Sequence, residues 1–220
     1  MAVNSKNRAR LTLASGGLRR EGPPSSSGAA RPNTFYFGGP AKSLQYTNGI
    51  VFANQPDIIF GQSVNQSPIN LTHTNYTTYA YGGTPSATLQ VTAQFSNVTQ
   101  EEHLYTQGVI HFLRSVTKMY YGENEGGNAP AGTPPPVLKF SAFGTNQFYE
   151  VPVLVGGFNV PYQSDTDLVE VKDENGELQA LPALQTIALD LLVTVNPAKQ
   201  KKEFSKAKFV TGSLYREGFI

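Results

Sequence analysis

Strict alternation of apolar and polar residues is the feature that most restricts this chain. In QTIALDLLVTV, Ile187, Leu189, Leu191, Val193 and Val195 fall on every second position, and in ATLQVTAQFS so do Leu89, Val91, Ala93 and Phe95. A period of two places all of these side chains on one face of an extended strand, so both segments predict sheet with one side buried. Further strands are expected at DIIF (57–60), VLKFSAF (137–143) and FYEVPVLVGGFNV (148–160), where Pro152 points to an edge or a bulge. LVEVKDENGELQAL (168–181) reads as a hairpin turning over 173–176.

A sheet with one apolar face needs a cover, and only one segment has helical period. Thr99 followed by Glu102 matches a capping box, and Tyr105, Val109, Phe112, Leu113, Val116 and Met119 or Tyr120 follow at spacings of three and four. A helix is expected over about 100–121 with Gly122 as its stop and Phe112, Leu113 and Val116 as its core. His103 and His111 on it lie eight positions apart, whereas helical metal pairs sit four apart, so neither is expected to ligate and both should tolerate alanine far better than Phe112.

No catalytic constellation, cofactor or metal is expected. His73 lacks a nucleophile context and reads as a surface hydrogen-bonding group. DENGE (173–177) lacks the later glutamate of a calcium loop, and neither a phosphate-loop lysine nor a dinucleotide fingerprint occurs. Asn65, Asn70, Asn75 and Asn97 each open an N-x-[ST] triplet, but with no apolar leader and no cysteine they are expected to serve turns and strand ends. No run of about 18 apolar residues suggests a membrane span.

The formal net charge of +1 argues against a dedicated DNA binder, but its distribution is uneven. Six cations among residues 1–35 (Lys6, Arg8, Arg10, Arg19, Arg20 and Arg31) face one acid, Glu21, in a Gly/Pro/Ser-rich stretch expected to be an extended basic arm. Asp165, Asp167, Glu170, Asp173, Glu174 and Glu177 then make an acidic run with only Lys172 against them. The tail is basic through Lys199, Lys201, Lys202, Lys206 and Lys208. Such runs read first as a solvated surface. The alternative is contact of the chain with its own copies, positive end to negative loop. Residues 198–220 also carry Phe204, Phe209, Leu214, Tyr215, Phe219 and Ile220, too many large apolar groups for a solvated tail. They need a surface to bury them, either the subunit's own core or, the favoured expectation, a neighbouring subunit or ring, with Lys201 and Lys202 opposite Asp165, Asp167 and Asp173.

Three motifs carry a resemblance: HFLRSVTKM (111–119), TPPPVL (133–138) and FSKAKFVTGSL (204–214), with FYEVPVLVGGFNV between them. Over roughly residues 88–220 the chain resembles the tail-tube initiator proteins of contractile-tailed bacteriophages. The resemblance implies a mainly β fold with one principal helix, a tube-protein-like β-sandwich or partial barrel (36–197) with N- and C-terminal arms. It further implies a homohexameric ring in the virion at the junction of baseplate and tail tube. Tail tube protein and baseplate hub proteins would be its partners, and DNA would pass without specific binding through a neutral or acidic lumen. A tube subunit or hub adaptor ring of the same fold is the neighbouring expectation. From another class, the Asn/Thr-rich residues 61–80 with their tyrosines suggest a carbohydrate-binding β-sandwich.

Overall fold

The computed structural model describes residues 7–14, 37, 39–119, 121, 132, 134–172 and 176–220. The first three residues of the expected turn at 173–176, the helix stop at Gly122 and most of the basic arm lie outside these residues.

The protein is mainly β, as expected. Its main sheet is antiparallel and seven-stranded, in the order β2 (Gly49–Val51), β1 (Arg10–Leu13), β7 (Leu138–Ala142), β8 (Phe148–Asn159), β11 (Leu184–Val193), β6 (Thr88–Ser96) and β3 (Asp57–Gly61). Alternation fixes the register at its centre. Leu89, Val91, Ala93 and Phe95 of β6 pair with Leu191, Leu189, Ile187 and Gln185 of β11, and all eight face the core. On the other face Gln90, Thr92 and Gln94 meet solvent, as period-two alternation requires.

The single long helix, α1 (Gln100–Val116), covers the apolar face together with a 3-10 turn at Gly39–Leu44. Thr99 is its N-cap. The Glu102 N–H donates to the Thr99 hydroxyl and the Thr99 N–H to the Glu102 carboxylate, both at 3.3 Å, which completes the box. Phe112, Leu113 and Val116 are buried, and Phe112 stacks on Phe37 with ring centroids 5.9 Å apart. The helix ends earlier than its sequence suggests: the Thr117 hydroxyl donates to the Leu113 and Arg114 carbonyls, and Met119 beyond it is 48 % exposed.

Ring contacts show that the sheet curls. Phe60 on edge strand β3 meets Phe148 of β8 at 6.1 Å although β11 and β6 lie between those strands. In a flat sheet the two strands would be about 14 Å apart, three strand spacings, and side chains standing perpendicular to the sheet would not meet. Near the other edge Phe52, just beyond β2, reaches Phe95 of β6 at 6.0 Å. The sheet therefore wraps around α1 as an incomplete barrel.

Three expectations are corrected. Residues 10–13 are a core strand rather than part of an arm, with Leu11 and Leu13 buried between β2 and β7. Pro152 is not on an edge, because β8 is flanked by β7 and β11. It is tolerated where the β11 ladder ends, and its carbonyl still accepts from the Thr194 N–H at 2.9 Å. The bulge half of the expectation holds two residues away, where Glu150 has φ 48° and its N–H donates to the Ser141 hydroxyl. Finally, His103 is fully buried, so an alanine there would leave a cavity; His111 is exposed.

Candidate assembly surfaces

Two β-ribbons leave the sheet, and the antiparallel pairing of β6 with β11 decides where they go. β4 (Asn65–Ile69) and β5 (Thr78–Gly83) continue β3 and precede β6, so their ribbon leaves where β6 begins. β9 (Leu168–Lys172) and β10 (Leu178–Pro182) continue β8 and precede β11, so theirs leaves where β11 begins. Thr88 at the start of β6 lies opposite Leu192 at the far end of β11. The two ribbons therefore leave opposite ends of the sheet.

The β9–β10 ribbon is the acidic one. Asn97 fixes its root: the Asn97 side chain donates to the Pro182 carbonyl at 2.6 Å and its N–H to the Ala183 carbonyl at 2.9 Å. Asn97 is buried, so its triplet is structural, whereas Asn65, Asn70 and Asn75 are exposed on the other ribbon. Alternate residues Val169, Val171, Gln179 and Leu181 are half-buried. The opposite face presents Leu168, Glu170, Lys172, Leu178 and Ala180 to solvent. Asp165 and Asp167 are exposed in the loop leading in, and Asp173 lies outside the described residues.

The C-terminal segment follows β11 and so sits at the other end. Asn196 does more than stop a strand: its side chain accepts from the Ala198 N–H at 2.9 Å and caps α2 (Pro197–Glu203), with Pro197 in the first turn. After α3 (Lys206–Val210), Phe204, Phe209, Tyr215 and Phe219 pack ring to ring at 5.8–6.0 Å. Gly218, with φ 79°, lets the chain close on β8, where a Cβ would lie 2.9 Å from the Glu150 carbonyl oxygen. Leu214 and Phe219 are thus buried within the subunit, while Phe204 stays 45 % exposed. Lys201, Lys202, Lys206, Lys208 and Arg216 are exposed, with no ion pair among the described residues.

The two sheet edges differ. At β2 the Tyr105 hydroxyl accepts from the Val51 N–H and donates to the Val51 carbonyl, both at 2.8 Å, so a side chain of α1 closes that edge. Burial and this contact act oppositely on the phenol, and burial dominates, raising its pKa. At β3 the outer side has no strand partner among the described residues, and Ile59 is 65 % exposed. No Asp, Glu, Lys or Arg occurs from Ile58 to Gln100, so Asp57 at the start of β3 is the one charge on this edge and the ribbon beyond it has none. That ribbon also exposes Tyr76, Tyr79 and Tyr81. Its lack of charge is legible in the sequence; the openness of the edge requires the strand order.

Among the described residues no three His, Asp or Glu side chains gather as a metal site, and His73 is exposed at the tip of the uncharged ribbon. No protein-family model matches the chain, and no curated protein matches it.

Proposed function

We propose that the chain is a structural subunit of a contractile phage tail, forming a hexameric ring at the baseplate–tube junction that initiates the tail tube and lines its DNA channel. The observation that carries the assembly part is the open β3 edge, which has Asp57 at its start as its one charge and is apolar at Ile59 and Phe60. A monomer leaves such an edge open to indiscriminate pairing, whereas a ring covers it with the next copy. The phage part rests on the motif resemblance. A second observation supports the channel: the solvent face of β3, β6 and β11 carries Asp57, Ile59, Gln90, Thr92, Gln94 and Asp190 and no cation. Such a face offers phosphates nothing to release counterions against, as a conduit for moving DNA needs.

Electron microscopy of virions labelled on this chain tests the reading. A ring of copies on the tail axis at the baseplate is expected; a single copy, or a position off the axis, overturns it. Copy number also separates one initiator ring from a tube built of many. The edge itself is tested by Ile59→Lys, which places a guarding charge on an exposed position. The purified variant should keep its melting temperature and fail to enter the ring.

A further inference from the structure

Opposite charges at opposite ends of one subunit cannot neutralise each other within it. The acidic ribbon carries Asp165, Asp167 and Glu170 beyond the end of the sheet where β11 begins. At the other end the C-terminal segment and the β7–β8 pair enclose a cleft of about 480 Å³. Its charged wall includes Lys139, Lys199 and Arg216, with Glu150 and Glu217 beside them, and its apolar lining includes Val137 and Pro152. Lys139 pairs with Glu150 at 2.7 Å, and Lys199 donates to the Glu217 carbonyl at 2.7 Å while lying over the Phe219 ring. Arg216 has no carboxylate partner among the described residues and is exposed.

Ribbon and cleft match in two respects. On the ribbon's outer face Glu170 follows the exposed Leu168 (63 %) and precedes Lys172, whose ladder partner is the exposed Leu178 (64 %). With Asp165 and Asp167 in the loop leading in, acids outnumber that one cation, and the cleft in turn sets cations beside an apolar floor. Apolar contact rimmed by complementary charge is the ordinary composition of a protein interface. We propose that the outer face of the β9–β10 ribbon of one copy docks into the cleft between the β7–β8 pair and the C-terminal segment of a second copy. The contact is heterologous, ribbon of one to cleft of the next, so it leaves a free ribbon and a free cleft for further copies. This rests on the assembly reading above and adds which surfaces meet.

The chain has no cysteine, so single cysteines report contact cleanly. Full-length Ala180→Cys, at the ladder partner of Glu170, and Val137→Cys, in the cleft wall, keep both charges and are purified separately, then mixed and oxidised over a range of concentrations. The expected result is a cross-linked dimer in the mixture at about ten times the yield of either variant alone, an amount corresponding to about 1.4 kcal/mol of preference. Salt near 1 M, where the screening length is about 3 Å, should reduce it. A charge exchange provides the second measurement: Glu170→Lys should abolish self-association, and adding Arg216→Glu to the same chain should restore it. Equal cross-linking of each variant with itself, no dimer at any soluble concentration, or no restoration by the exchange overturns the proposal. A ring seen in virions without the cross-link refutes this docking alone, and a cross-link from a chain absent from the tail axis refutes the phage reading alone.

Discussion

His103 lies on the first turn of α1 with its ring fully buried and neither nitrogen bonded to the protein among the described residues. Burial disfavours the imidazolium and lowers its pKa below the ordinary histidine value. The folded state therefore binds this proton less readily than the unfolded chain. Stability is fully present above about pH 6.5, the unfolded value, and falls as the pH drops towards the lowered folded value. His103→Leu, similar in bulk and without titration, should raise the melting temperature more at pH 5.5 than at pH 8; an equal shift at both would show that the ring's charge plays no part. Two neighbouring positions test the packing. Phe112→Ala should cost about 3–5 kcal/mol through the cavity left under Phe37. At Gly108 two effects compete: alanine favours a helix by about 1 kcal/mol, but its Cβ would lie 2.8 Å from the Pro40 carbonyl oxygen in the turn that α1 crosses. Backbone cannot yield as a side chain end does, so overpacking, at about 1–3 kcal/mol, should prevail and Gly108→Ala should melt lower.

At the scale of elements, α1 owes its start to a few groups that can be titrated. The Thr99 backbone N–H, then the Ser96 hydroxyl, hold the Glu102 carboxyl below the usual carboxylate range. Its contribution is present above the unfolded pKa of about 4.3 and is lost as pH falls through the lowered folded value. Thr99→Ala should cost about 1 kcal/mol, or about 2–4 °C in melting temperature, and Glu102→Gln should flatten the acid limb of the stability curve. This helix was legible because cap and stripe agree, and β6 and β11 because each buries one face only. The signal failed where burial gives no contrast. Every residue of β4 is exposed, so Asn65–Ile69 has no period to read, and its pairing with β5 is the only thing that makes it a strand. β1 failed for the opposite reason: Leu11 and Leu13 alternate, but four residues are too few to stand out beside a Gly/Ser/Arg-rich stretch. Pro152 misled because the rule concerns the missing N–H, and in β8 the proline falls where the partner ladder is ending.

For the whole molecule, the C-terminal segment has to be divided between fold and assembly. Its sequence shows that the aromatics need burial but not against what. The structure gives Leu214 and Phe219 to the subunit, with Ile220 against the main core, and leaves the lysines and Phe204 outward. Deleting residues 200–220 would therefore uncover part of β8 along with removing the basic surface, and loss of assembly in that truncation would say nothing about contacts. Substitution separates the two. Lys201→Glu with Lys202→Glu changes exposed groups that have no ion pair among the described residues but lie in the last turn of α2, where acids oppose the helix dipole, so the monomer should stay folded and lose about 0.6–2 kcal/mol. The same change cancels the charge excess at the basic end, from six cations against two acids to four against four, and charge at a contact rim acts mainly on association rate and its salt dependence. Association of the double variant should accordingly be slower and lose most of its sensitivity to salt, measured by light scattering against the parent chain. Unchanged association would confine these lysines to solvation, and the attraction between copies would then have to come from the apolar edge at β3.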